Sequence, residues 1–268
     1  MKTSIIAFAA SLVMASCIHI EINSESDSDK DYGPAIERVY SIGANYQKLE
    51  ASHSFNVTMS DTATVATINI DSALHDRVVF LVEKGTLKIG LKSGVYHRIG
   101  TASVTLPNNP YLRDIELSGA AQFITDKDIS AEEISIDLSG ASVFHGDIKQ
   151  AKKVDIEASG ASCIYSSIQQ MTGNMDIDLS GASSATISGS TGVLGIDLSG
   201  ASNLNASNLD VHAVKGDISG ASKAEVLCCE SIRVDVSGAS HLTYSTIADG
   251  CNPIVSCPTS GASSVTRR

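Results

Sequence analysis

Asp176-Ile177-Asp178-Leu179-Ser180-Gly181-Ala182-Ser183 recurs, with small changes, through the second half of this chain. The tripeptide Ser-Gly-Ala begins at Ser118, Ser139, Ser159, Ser180, Ser199, Ser219, Ser237 and Ser260, at intervals of 21, 20, 21, 19, 20, 18 and 23 residues. Such a period marks a structural repeat of about 20 residues. Three residues before the Ser stand Ile115, Ile136, Ile156, Ile177, Ile196 and Val234, and one before it Leu117, Leu138, Ala158, Leu179, Leu198, Ile218 and Val236. That alternation predicts a short strand in each repeat. Five residues after the Ser come Phe123, Phe144, Ile164, Ala185, Leu204, Ala224, Leu242 and Val265, so a second strand follows the corner. Two strands and their corners leave no room for a helix, and the spacing of a leucine-rich repeat is missing. The pattern predicts an all-β fold, a right-handed parallel β-helix (solenoid) of about 20-residue coils stacked roughly 4.8 Å apart.

Glycine supplies the φ > 0 backbone of a sharp corner, and Ala is small enough for successive corners to stack. The Ser after each Ala, from Ser142, Ser162 and Ser183 to Ser263, is expected to form hydroxyl ladders or to satisfy corner backbone groups. Two residues before the Ser lies an acid in seven of the eight repeats: Glu116, Asp137, Glu157, Asp178, Asp197, Asp217 and Asp235. Their strand neighbours point inward, so these acids point outward and stack. Like charges about 4.8 Å apart repel by about 0.9 kcal/mol per pair even in water. Two arrangements offset that: hydrogen bonds from the following corner to each carboxylate, or a cation ladder along Asp137, Glu157, Asp178, Asp197, Asp217 and Asp235. Ca²⁺ takes clustered carboxylates but wants six or more oxygens. No other metal site and no cofactor is expected.

The start of the chain carries a different signal. Lys2, an apolar run from Ile5 to Met14 and small residues before Cys17 make an export signal too short to span a membrane. Met14-Ala15-Ser16-Cys17 resembles a bacterial lipoprotein signal, which implies cleavage after residue 16, lipidation of Cys17 and a membrane partner. The organisation expected is a signal peptide over 1–16, an acidic flexible tether over 17–35, an N-terminal β part over 36–117 and the Ser-Gly-Ala repeats over 118–268. Asn23 to Asp31 reads NSESDSDKD, a composition that stays unfolded. The formal charge of −11 disfavours nucleic acid and anionic membrane surfaces. No Trp and 4 % aromatics disfavour a sugar-stacking platform.

Residues Ile36 to Leu117 alternate without the tripeptide, as in Phe55-Asn56-Val57-Thr58-Met59. They predict a parallel layer continuing into the helix, with Ala102 to Leu106 as its last strand and Pro107 to Pro110 as the break. With that pattern, the VTLP of Val104 to Pro107, the LSGA at Leu117 and the run of Ser-Gly-Ala-Ser coils, the span 36–268 resembles the head GIN domain family (DUF2807) of Bacteroidetes auto-transporter adhesins. The resemblance implies a β-helix, an envelope location and no catalytic residues.

An exported chain permits disulfides. Beyond Cys17, Cys163 reads as a small buried apolar residue. Adjacent Cys228 and Cys229 face opposite sides of a strand, and one of them can reach Cys251. Bonding Cys251 to Cys257 across Pro253 would instead staple the open end of the helix. Three function classes follow: a non-enzymatic surface or periplasmic lipoprotein whose β-helix face binds an unidentified protein or glycan; an envelope scaffold that self-associates as a homo-oligomer; and a polysaccharide-active enzyme. The last rests on fold analogy alone, and short even coils argue against it. No Ser/His/Asp arrangement is defensible.

Overall fold

A computed structural model describes residues 33–42, 45–94, 102–246 and 251–268. The export signal, Cys17 and most of the tether lie outside the described residues. The described strands form one 20-stranded sheet, wound into a solenoid of about eight turns with roughly 20 residues per coil. From residue 118 onward every described strand pairing is parallel. The expected inward positions make one continuous core from Tyr46 to Leu242, in which Phe123 and Phe144 stack with centroids 5.8 Å apart. Strands are longer than the sequence pattern suggests: Cys163–Leu179 runs as one strand of 17 residues around the bend between two faces.

The chain before residue 118 does not stack in sequence order. Its strands are β1 (Ala35–Tyr40), β2 (Lys48–Ala51), β3 (Phe55–Ser60), β4 (Ala66–Asp71), β5 (Val78–Glu83), β6 (Thr86–Leu91), β7 (Ala102–Pro107) and β8 (Asp114–Leu117), followed by β9 (Gln122–Thr125). Strand β2 lies between β6 and β8, parallel to both. Strand β3 lies likewise between β7 and β9. The chain therefore lays one coil, returns to build a second on its far side, then crosses back to begin the repeats. The expected parallel layer holds for these coils, but Ala102–Pro107 sits at the far end and antiparallel strands close that end. Strand β4 pairs antiparallel with β7 and with β1, and β5 with β6. Lys84 (φ 50°) and Gly85 (φ 79°) join β5 to β6 with the two left-handed residues a tight hairpin requires. The Pro107 to Pro110 break is a pinned turn: buried Asn109 donates to the Tyr46 carbonyl at 2.8 Å and accepts from the Tyr111 amide at 3.0 Å.

All eight repeat glycines have φ between +70° and +74°. The serines after the corner are buried from Ser142 to Ser240 and half-buried at Ser263, and both expected roles occur. Ser162 Oγ donates to the Ser159 carbonyl at 2.8 Å and Ser183 Oγ to those of Ser180 and Ala158 at 2.8 and 3.1 Å. Ser202 and Ser222 form a hydroxyl rung at 3.2 Å, with the Ser222 amide donating to Ser240 Oγ. The corner carbonyls thus take their extra bonds from serine, and the described hydrogen bonds include none from a corner to the acids of the column.

Candidate functional site

The outward acids fall in register. Glu50, Glu116, Asp137, Glu157, Asp178, Asp197, Asp217 and Asp235 are successive partners across the sheet. At the N-terminal end the column is neutralised: Lys48 Nζ bonds Glu116 at 2.6 Å and lies 3.1 Å from Glu50, and Lys88 follows Glu50 in register. Among the described residues no ion pair reaches the middle of the column, from Glu157 to Asp217. Partial desolvation, followed by the charge of Asp197, pushes Asp178 above its ordinary value of 3.8. Desolvation and Glu116 push Asp137 up, against the opposing pull of Lys48.

A second outward column runs beside the first, two residues earlier in each strand: Lys48, Asp114, Ser135, Asp155, Asp176, Gly195, Lys215 and Arg233. Between the two columns lies a trough of about 630 Å³. Gly195 is buried at its floor, because a Cβ there would fall 2.2 Å from Asp176 Oδ1. Lys153 pairs with Asp155 at 2.6 Å on one side, and Lys215 stands next to Gly195 on the other. The trough therefore sets a negative wall against a floor of mixed charge. Sequence reasoning found that wall and missed the second column. No one residue type runs through it, and only the phase, four before each Ser, links its members.

Among the described residues no three acids, cysteines or histidines gather as a metal would need. Stacking places the acids in a line of neighbours, and the expected cation ladder is a column without a cage. Of the two pairings the sequence allowed for Cys251, the structure shows the one with the adjacent cysteines. Cys251 bonds to Cys229, with Cα atoms 5.0 Å apart, and not to Cys257. The repeat explains why: Cys257 lies three before Ser260, the phase of Ile177 and Val234, so it turns inward and packs on the core. Cys228 and Cys257 are free, and burial pushes both thiols up, away from the reactive thiolate. Cys163 is buried, as expected of a small apolar residue.

Residues 45–247 match the family model described as "Putative auto-transporter adhesin, head GIN domain" (DUF2807). Solved structures share the fold at low identity. A "putative adhesin" from Parabacteroides distasonis superposes with a TM-score of 0.76 at 18% identity, covering 88% of this chain and 98% of that one. A second "putative adhesin", from Parabacteroides merdae, gives 0.74 at 15%, covering 88% and 97%. A "putative lipid binding protein" from P. distasonis gives 0.71 at 19%, again covering 88% and 97%. No curated protein matches the chain.

Proposed function

The chain belongs to the head GIN domain family, and on that premise we propose that it is a non-enzymatic binding protein of the cell envelope. In this reading it is an adhesin held to the outer membrane through lipidated Cys17. The acidic trough is the binding face, and its ligand is a protein or glycan surface carrying cationic groups. The observation that carries the reading is the unneutralised middle of the acid column, from Glu157 to Asp217, beside the trough. A stack of like charges costs stability that a purely structural face has no reason to accept, whereas it steers an oppositely charged partner. A rigid sheet holds the charges at fixed spacing, so little ordering entropy is lost when a repetitive ligand docks. Short even coils and a family model described as "Putative auto-transporter adhesin" support binding without catalysis. No described helix is long and apolar enough to cross a membrane; the attachment in this account is the lipid at Cys17.

The test is attachment of cells carrying the chain to arrays of basic proteins and amino-sugar glycans, with Asp155→Asn, Asp176→Asn and Asp197→Asn combined as the comparison. The expected result is at least a tenfold loss of attachment in the neutralised variant and a fall in wild-type attachment with salt. Equal attachment by both at equal surface abundance would remove the trough as the binding face.

A further inference from the structure

The sheet face that follows the Ser-Gly-Ala corner contrasts with the acid face that precedes it. Its two outward columns stay in register across eight strands, from β4 through β7, β3 and β9 to strand Asn203–Ile218. One column runs from Thr67 through Thr58, Ile124, His145 and Tyr165 to Asn205, and the other, on its corner side, from Asn69 through Asn56 and Gln122 to Asn203. Neither contains Asp, Glu, Lys or Arg over that length, although 18% of the chain's residues are charged. At a strand spacing of about 4.8 Å the uncharged face is about 34 Å long. Ile124 and Tyr165 are 43% and 36% exposed, and the His145 ring between them meets that of Tyr165 edge-on at 6.1 Å. Among the described side-chain hydrogen bonds none engages the amides of Asn56, Gln122 or Asn203, so their donors and acceptors stay open to a ligand. The acids on the rim are already engaged: Asp126 accepts from Ser60 Oγ at 2.6 Å and Asp147 from the Ser167 amide at 2.9 Å.

We propose that this face is a second binding surface, apart from the trough, and that its occupant is an uncharged polysaccharide. Charge selects the occupant. An anionic ligand is repelled by a chain at −11, and a cationic one is held better by the acid column, so a face without fixed charge favours a ligand without one. Chemistry narrows the choice. Amides and hydroxyls each donate and accept, as the hydroxyls of a sugar do, and they recur here from strand to strand. A protein partner needs a desolvated apolar centre, and Ile124, His145 and Tyr165 are too small a group to supply one. They suit the apolar face of a single sugar ring. Rings are too few in this chain for stacking to carry the binding, which rests instead on the repeated hydrogen bonds. Shape adds length: an open, flat face takes a chain rather than a small molecule, and many weak contacts along one chain add up to a useful affinity.

The test is binding of the full chain to an array of neutral, acidic and amino-sugar polysaccharides with unglycosylated proteins alongside. It compares the wild type with Gln122→Ala and Tyr165→Ala combined, and with Thr186→Lys, which sets a charge beside Tyr165 at an exposed position and leaves the core alone. The expected result is retention on neutral polysaccharide that high salt does not weaken and that falls at least tenfold in both variants. Should the double variant fail to fold, Thr186→Lys decides. No retention on any neutral polysaccharide, retention that the folded variants keep, or retention on acidic polysaccharide or protein alone would overturn the proposal. The chain carrying Asp155→Asn, Asp176→Asn and Asp197→Asn should bind neutral polysaccharide as the wild type does, so failure of this proposal and failure of the trough reading are told apart. Loss of neutral-polysaccharide binding in that chain would move the site to the trough and overturn the proposal as well.

Discussion

Gly181 stands directly over Gly160: the amide of Ala182 donates to the Gly160 carbonyl at 2.7 Å, and a Cβ on Gly181 would lie 2.6 Å from the same oxygen. Glycine is therefore required twice, for φ of +70° and for the approach of one corner to the next. Gly85 has φ of +79° with nothing within 4 Å of a built Cβ. Gly181→Ala is expected to cost about 2 to 4 kcal/mol, combining backbone strain with overpacking, and Gly85→Ala about 1 kcal/mol from strain alone. Urea unfolding of both variants checks this. Equal losses would mean that corner contact contributes nothing.

The corner also explains what could be read in advance and what could not. Repeats that spell Ser-Gly-Ala announce their coils, whereas the first coil turns at Ser52-His53-Ser54, where His53 takes φ of +67° directly beneath Gly119. Without the glycine its coil showed only alternation, and alternation carries no information on stacking order. The trough stayed hidden for a related reason: Asp176, Gly195 and Lys215 share a phase and no chemistry. Cys257 was legible, since its phase is that of Ile177, but the short loop to Cys251 suggested a bond that the inward turn forbids.

His53→Gly is expected to raise stability by about 0.5 to 1 kcal/mol. It relieves the 1 to 2 kcal/mol of a left-handed non-glycine residue and gives up the 2.8 Å bond between His53 Nδ1 and Ser52 Oγ. Equilibrium denaturation measures it, and a loss of stability would mean that the bond outweighs the backbone.

Asp178 has its pKa raised in the folded state by desolvation and by Asp197, so the folded chain binds its proton more tightly than the unfolded one. Stability linked to this group is present below its ordinary value of 3.8 and is lost as pH rises through the raised folded value. Asp178→Asn should therefore melt a few degrees higher than wild type at pH 7, with the gap closing as pH falls toward 4. Melting curves at intervals between those values test the sign; a variant that melts lower at pH 7 would contradict it.

The Cys229–Cys251 bond closes a sequence separation of 22 residues, for which loop entropy gives about 3 kcal/mol. Cys229→Ser is expected to lose most of that. Alkylation after denaturation without reductant should label Cys228 and Cys257 and spare Cys229 and Cys251. Label on Cys229 with none on Cys257 would contradict the assignment.

An adhesin must present its trough outside the cell. Tightly wound coils resist proteases, so the direct measurement is labelling of intact cells with a membrane-impermeant amine reagent, followed by recovery of the chain and mapping of Lys153 and Lys215, the lysines that line the trough. The account predicts both labelled on intact cells, at the level reached after the outer membrane is opened. Labelling only after that membrane is breached would contradict it and place the binding face in the periplasm, as a scaffold's would be.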